Sequence, residues 1–547
     1  MLHILIGGAG CGKSTCLIQH LQKQLEAGEQ ILTLVPEQFS YEFDQKLYRI
    51  LGPVAFNQLE THSFKSLARA VFQRFGCVPD GKTNADELTK MALLYQAVLQ
   101  VSEREKKLQL LGKQCRQASF VSELAMMFTQ FRRSGIPPEQ LYNSSAELNG
   151  RLQEKMLDVF EIYQRYDQLL EQHQLKDTET DLSEAAAIAN GHDAFLGDVI
   201  FLDEFESFTE DEYQMLSVLL SSGKDLYIAL RMEHTRKEPF SLFAAVQETF
   251  CKIQDMAKKL RIPVETEVCD TPYRFQAAEL SWLNQHVFRN TQPFSGEAPH
   301  LHILEAQSPT EEVDYVCATI RRLLAKDHTL RCRDIAVLSN QMTDYRSILE
   351  TAMERYKLPY YMDEKESMLY TPLLVYLHTL LGILRQTRPD TELLMRLGKT
   401  GLTSCSVEEI SDLENYCYMW QIDGKTWNTP FTAGNFASSE AVRLKLLTPL
   451  QELREKLKGQ HTGAEFCSML YLFLTEQQVE EQLNRQLKII ADEQKRMQTS
   501  EEWALVWNSF IDILEHLSTL YRTLEMEFSE FSTVFAALTG NIQRATP

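Results

Sequence analysis

No run of eighteen apolar residues occurs anywhere in this 547-residue chain, so the sequence offers no membrane-spanning helix. The first apolar run meets glycine after about six residues, too short for the core of a signal peptide, and a cytoplasmic protein is expected. The eleven cysteines include no C-x-x-C pair and the histidines do not cluster, which argues against a zinc site and leaves scattered reduced thiols. Low-complexity tracts and short-period repeats are also missing, so nothing marks a disordered or repetitive architecture. Positive charge is scarce: 55 Lys and Arg against 76 Asp and Glu leave a formal charge of −21. That balance excludes a protein that coats nucleic acid with a globally basic surface and leaves room only for a local basic channel.

What is present fits a soluble globular protein, with 44% hydrophobic and 24% charged residues. The length exceeds what one core serves, so three or four structural units are expected, some assembled from separated stretches.

The most specific signal comes first in the chain. Leu2 to Ile6 reads as a short buried strand, and Ser14 to Gln24 carries Cys16, Leu17, Ile18 and Leu21 at helical spacing. Between them, Gly7, Gly8, Ala9, Gly10, Cys11, Gly12, Lys13 and Ser14 satisfy G-x-x-x-x-G-K-[ST], with Thr15 following. A loop that wraps phosphates must turn sharply and aim backbone N–H groups inward, which glycine permits. The helix amino end adds partial positive charge. Lys13 is placed to reach the β- and γ-phosphates of ATP, and the Ser14 hydroxyl to complete a Mg²⁺ shell.

A phosphate loop needs a carboxylate at the end of a neighbouring strand. In "GDVIFLDEFESFTEDEY" the apolar run Val199 to Leu202 ends in Asp203 and Glu204. Asp203 is read as a Mg²⁺ partner through water, and Glu204 as the catalytic residue that positions or deprotonates attacking water. Gln30 to Val35 and Asp225 to Leu230 are continuous apolar runs suited to a parallel, doubly covered sheet. The fold class expected is therefore α/β. Helical patterns such as Glu87 to Val101 and Leu152 to Glu171 replace strands between about residues 80 and 190, as an insertion would.

The segments 34–47 ("LVPEQFSYEFDQKL") and 61–76 ("THSFKSLARAVFQRFG"), followed by Asp203-Glu204-Phe205, resemble a superfamily 1 DNA helicase core. The closer resemblance is to the AddB (RexB) subunits of the AddAB helicase–nucleases. It continues through 278–288, 301–324, 333–364 and 412–427, so it covers essentially the whole chain. The resemblance implies P-loop, RecA-like domains with large all-helical insertions. Residues 1–80 and 190–275 would form the first motor-like domain, 81–189 its helical insertion, 276–370 the start of the second, and 371–547 the insertion of that second domain. Strands at Leu301 to Leu304 and Ile335 to Leu338, with helices through Glu311 to Leu324 and from Tyr345, are expected accordingly.

By the same resemblance, Thr61, His62, Ser63 and Phe64 stand where the helicase family contacts single-stranded DNA. Phe64 is read either as a base-stacking ring or as a core aromatic. Arg346 stands where that family places an arginine directed at the γ-phosphate, and pairing with Glu350 at i+4 is its other reading. Arg132 and Arg133 are read as a solvated helix end, in preference to a phosphate contact. The family's Gly-Asp-x-x-Gln element is missing from 229–238, which puts the coupling of hydrolysis to movement in question. The chain stops at "NIQRATP", where the family continues into more of its second domain and a nuclease domain with an iron–sulfur cluster, so a fragment is expected.

The function implied is that of the amino-terminal part of a subunit that pairs with AddA, resects double-strand DNA ends to a Chi site and holds single- and double-stranded DNA. This part would bind ATP and Mg²⁺ and form part of the DNA channel. It would be at most a weak ATPase, with neither nuclease nor cluster. The alternative is a DNA-scanning scaffold that binds nucleotide without turnover.

Overall fold

The apolar runs at the start of the chain and again after residue 198 become the strands of one sheet. They are β1 (Leu2–Gly7), β2 (Ile31–Leu34), β3 (Leu59–His62), β4 (Val199–Leu202), β5 (Asp225–Arg231) and β6 (Val264–Val268). In this computed structural model the described residues are all but 77–81, 105–106, 113, 115–117, 236–240, 272, 288–292, 363–364, 495–496, 541 and 546–547. The strand order is β3-β2-β4-β5-β1-β6, and every pairing is parallel.

Side chains alternate across the strands, so each strand feeds two cores. Leu2, Ile4 and Ile6 of β1 join Ile200, Leu202, Ile228 and Leu230 on one face, under helices that include Phe64–Phe75 and Glu210–Ser222. Leu5, Val199, Phe201 and Ala229 face the other way and are covered by Leu17, Ile18 and Leu21 of α1 (Lys13–Glu26). Burial on both faces explains why these strands read as unbroken apolar runs instead of alternating ones.

The chain divides into two units. The first holds Met1–Cys77 and Asp181–Asp363, and the second holds Val78–Thr180 and Glu364–Ala545. Within the first, helices Pro309–Lys326 and Met342–Arg355 pack through Val313, Cys317, Ile320, Leu349 and Met353. The strands expected at 301–304 and 335–338 are not formed: neither segment pairs with another among the described residues, and Ile303 and Leu338 are exposed. A strand needs a hydrogen-bonded neighbour, and an apolar run does not supply one.

The second unit is helical. The two helical stretches, far apart in sequence, share one core that includes Tyr163, Tyr376, Trp427, Phe466, Phe510 and Phe531. The fully buried Tyr521 hydroxyl donates to the Ala92 carbonyl at 2.6 Å, a link across 429 residues of sequence. Arg132 is not a solvated helix end. Its guanidinium lies over the Tyr163 and Tyr166 rings and pairs with Asp167 and Asp177.

Candidate functional site

Because all six strands are parallel, their carboxyl ends share one edge of the sheet, where ligands of such sheets bind. β1 and β4 have β5 between them, so their ends lie about 10 Å apart, two strand spacings. The glycine-rich loop leaves β1 at that edge and Asp203-Glu204 leaves β4 beside it. A long lysine side chain and a hydrated ion together span that distance.

The loop conformation needs its glycines. Gly10 and Gly12 sit at φ +74° and +78°, and a Cβ on Gly12 would come within 3.1 Å of the Tyr273 ring. Gly12 is the N-cap of α1, and among the described residues no side chain caps the helix's first N–H groups, nor does its first turn hold an acid. Helices Phe64–Phe75 and Glu210–Ser222, by contrast, each close their amino end with a capping box. An anion is the natural partner for an amino end left this way. Lys13 donates from Nζ to the Gly8 carbonyl at 2.7 Å, and burial lowers its pKa below the ordinary lysine value.

Asp203 is 4% exposed. Its Oδ1 accepts the Glu204 N–H at 2.9 Å, whereas its buried Oδ2 has no hydrogen-bond partner among the described residues. The Ser14 hydroxyl approaches the same carboxylate without reaching hydrogen-bond geometry. Burial, then the Glu204 charge, push the Asp203 carboxyl up to about 6, against the opposing pull of Ser14 and the Glu204 N–H. An orphaned buried carboxylate oxygen facing a hydroxyl offers the hard oxygen donors that Mg²⁺ takes. Glu204 itself is exposed and held at φ +64°, a conformation that non-glycine residues rarely adopt.

Ala9, Gly10, Gly12, Lys13, Ser14 and Thr15 line one cavity of about 1010 Å³ together with Asp203 and Glu204. Gly7, Gly8 and Cys11 belong to the same loop but are not among the lining residues. Lys46, Arg231, Tyr273 and Arg274 also line it, as do the acidic Glu37, Glu206 and Glu212, and Arg231 pairs with Glu206. The sequence reading missed Tyr273 and Arg274. Their N–H groups donate to the Gly10 carbonyl at 3.0 and 3.2 Å, and the Tyr273 ring is 70% exposed beside the loop. A tyrosine–arginine pair just beyond the last strand of the sheet was the signal available.

Of the residues expected to touch DNA, Ser63 and Phe64 line this cavity. Phe64 is buried edge-on against Phe205 and Phe208, so its ring belongs to the core and presents no face to a base. Thr61 accepts a hydrogen bond from Thr33, and His62 pairs with Glu60 at 3.5 Å. Arg346 is not among the lining residues. It donates to Glu350 at 3.1 Å, one helical turn on. The 229–238 stretch ends on residues outside those described, as do Cys77 and Cys115.

The family model described as "ADDB, N-terminal" matches residues 4–284, just over half of the chain and the part that holds the sheet. Proteins whose names make them one subunit of an ATP-dependent helicase/deoxyribonuclease match nearly the whole of this chain. The one from Clostridium novyi is 25% identical over 97% of this chain and 47% of its own length. That from Clostridium tetani is 27% identical over 98% of this chain and 49% of its own. That from Acetivibrio thermocellus is 25% identical over 100% and 51%. The chain thus spans about half the length of the curated relatives it matches. No helix among the described residues is long and apolar enough to cross a membrane.

Proposed function

The chain belongs to the ADDB N-terminal family, and from that premise we propose that it is the helicase-like, ATP- and Mg²⁺-binding half of an AddB-type subunit of an ATP-dependent helicase/deoxyribonuclease. The observation that carries the reading is the meeting of two sequence-distant elements on one cavity: Lys13 and Ser14 after β1, Asp203 and Glu204 after β4. The RecA-like reading of the sheet rests on the same meeting, since the phosphate loop and the acidic strand end occupy the same edge of a parallel sheet.

In this mechanism the loop N–H groups and the amino end of α1 bind the phosphates, and Lys13 adds a mobile positive charge. Ser14 and Asp203 would hold magnesium, which when bound supplies the charge that neutralises the β- and γ-phosphate oxygens. Glu204, exposed beside buried Asp203, is free to orient water or take its proton. The exposed Tyr273 ring offers a face for a purine base, and Lys46 and Arg274 add positive charge at the wall. The partner would be AddA, the substrate a double-strand DNA end resected toward Chi, and this unit would contribute to the DNA channel.

The missing Gly-Asp-x-x-Gln element favours a second reading, a DNA-scanning scaffold that binds nucleotide and does not turn it over. Two measurements decide. Affinity for a non-hydrolysable ATP analogue with Mg²⁺ should fall at least about tenfold in Lys13→Ala and in Asp203→Asn. Unchanged affinity in both rejects the site. Turnover in the complete complex, with the partner's own phosphate loop disabled, should vanish in Glu204→Gln. Tight binding with no turnover in the unmodified chain selects the scaffold.

A further inference from the structure

We infer a second metal site, for a zinc-class divalent cation, built by Cys16 and His20 of α1 with Glu267 and Cys269 at the edge of the sheet. Residues 16 and 20 are four apart and share one face of the helix. Glu267 and Cys269 alternate along β6 and its continuation and so point to the same side. Among the described residues β6 is an edge strand paired to β1 alone, and its register is carried one residue further by the Cys269 N–H, which donates to the Ile6 carbonyl at 2.7 Å. Two regular elements thus each bring two donors to one place.

Three of the four donors, those of Cys16, His20 and Glu267, already gather within reach of one ion. Cys16 Sγ lies 3.3 Å from Glu267 Oε1, and His20 Nε2 lies 3.1 Å from Glu267 Oε2. One donor atom from each of Cys16, His20 and Glu267 falls within 4.8 Å of the others, and the Cys269 thiol lies beside that of Cys16. Donors around a tetrahedral zinc ion sit about 3.3–3.7 Å apart, given bonds of about 2.0–2.3 Å. The Tyr227 ring stacks on His20 with centroids 5.3 Å apart, which fixes the imidazole plane with Nε2 toward the cluster.

The donor chemistry separates this place from the nucleotide site. Thiolate and imidazole select zinc-class ions over magnesium, whereas Ser14 and Asp203 offer oxygen alone. On binding, thiol protons leave to solvent and sulfur–metal bonds form, with no change of oxidation state. The ion would tie α1, whose first turn carries Lys13 and Ser14, to the edge strand. The ligands escape motif searches because they come from positions 16, 20, 267 and 269.

The test uses the full chain stripped of metal and titrated with Zn²⁺ alone and, separately, with Co²⁺ alone. Zn²⁺ should bind reversibly to chelator, resist excess Mg²⁺ and raise the thermal midpoint. Co²⁺ should give thiolate-to-cobalt charge-transfer absorption. Cys16→Ser with His20→Gln should weaken Zn²⁺ binding by at least about 100-fold. Cys251→Ser, which alters a thiol elsewhere, should leave it unchanged, and affinity for the ATP analogue measured without Zn²⁺ separates failure here from failure at the nucleotide site. Equal Zn²⁺ affinity in the double variant, or cobalt spectra without a thiolate band, overturns the assignment. A Cys16–Cys269 disulfide forming in air in place of metal uptake also overturns it.

Discussion

The main-chain N–H of Glu204 donates to the carboxylate of Asp203 at 2.9 Å while Glu204 turns through a left-handed φ of +64°. Two adjacent acids are thereby sent into opposite environments, Asp203 into the protein and Glu204 into the open cavity. The turn stores strain at the site where the proposed chemistry calls for that division. Replacing Glu204 with glycine should stabilise the first unit by about 1 kcal/mol, because glycine adopts φ > 0 without the Cβ penalty. The same change removes the proposed catalytic carboxylate. Thermal unfolding should rise while turnover is lost, and Glu204→Gln should lose turnover without the gain in stability.

Acidification should weaken nucleotide binding in a window set by Asp203. Its carboxyl, pushed up to about 6 chiefly by burial, holds a proton below that pH in the place where Mg²⁺ would approach. Mg²⁺-dependent affinity for an ATP analogue should fall as pH drops through about 6, approaching tenfold per unit well below it, and level off above about 7. Stability moves the other way. The native state binds this proton more tightly than the unfolded chain, whose ordinary value is 3.8, so the ionised carboxylate costs stability above about 6. That cost is relieved as pH falls from about 6 toward 3.8. Asp203→Asn should flatten this step in both curves.

Gly12→Ala should damage the loop twice over. The left-handed conformation costs an L-residue about 1–2 kcal/mol, and the added methyl meets the Tyr273 ring at 3.1–3.2 Å. Affinity for the analogue should drop at least about tenfold. In a double-mutant cycle, Tyr273→Ala should return the steric part of the stability loss and leave the conformational part. Simple additivity would place the Tyr273 ring away from the loop.

How much of this was legible in the sequence depends on what each signal encodes. Val199 to Leu202 could be read to the residue as a strand, because burial on both faces leaves an uninterrupted apolar run between polar neighbours. Lys13 and Asp203 could be brought together because a phosphate loop calls for a carboxylate at a neighbouring strand end, and both line one cavity. Tyr273 and Arg274 were invisible, since only the return of the chain after β6 brings them against Gly10. The two helical stretches gave their lengths well but not their partners: amphipathic spacing shows that Tyr163 and Phe510 are buried, not that they belong to one core. Leu301 to Leu304 looked like Leu2 to Ile6 by composition, and only pairing separates them. Arg132 beside Arg133 read as surface charge because its partners, Asp167 and Asp177, lie 35 and 45 residues on.

That arginine supplies the last prediction. Asp177 is 5% exposed and lies 2.9 Å from Lys90 Nζ and 3.3 Å from Arg132 Nε, whose side chains are 10% and 11% exposed. On the surface of the same unit, Lys458 and Glu455 approach more closely, at 2.6 Å, but both are more than 60% exposed. Distance alone would rank the surface pair first, whereas desolvation reverses the order. Asp177→Ala removes the buried carboxylate shared by two buried cations and leaves Lys90 with Glu87 and Glu179 and Arg132 with Asp167, so it should cost about 3 kcal/mol, while Glu455→Ala should cost less than about 1 kcal/mol. Urea unfolding of the full chain, followed through a probe in the helical unit, measures both. Asp177→Asn should fall between them, since it keeps the shape and one acceptor but removes the charge. A cost for Asp177→Ala no greater than that for Glu455→Ala would mean that water reaches Lys90 and Arg132 freely, and the network would lose its place among the forces that hold the helical unit together.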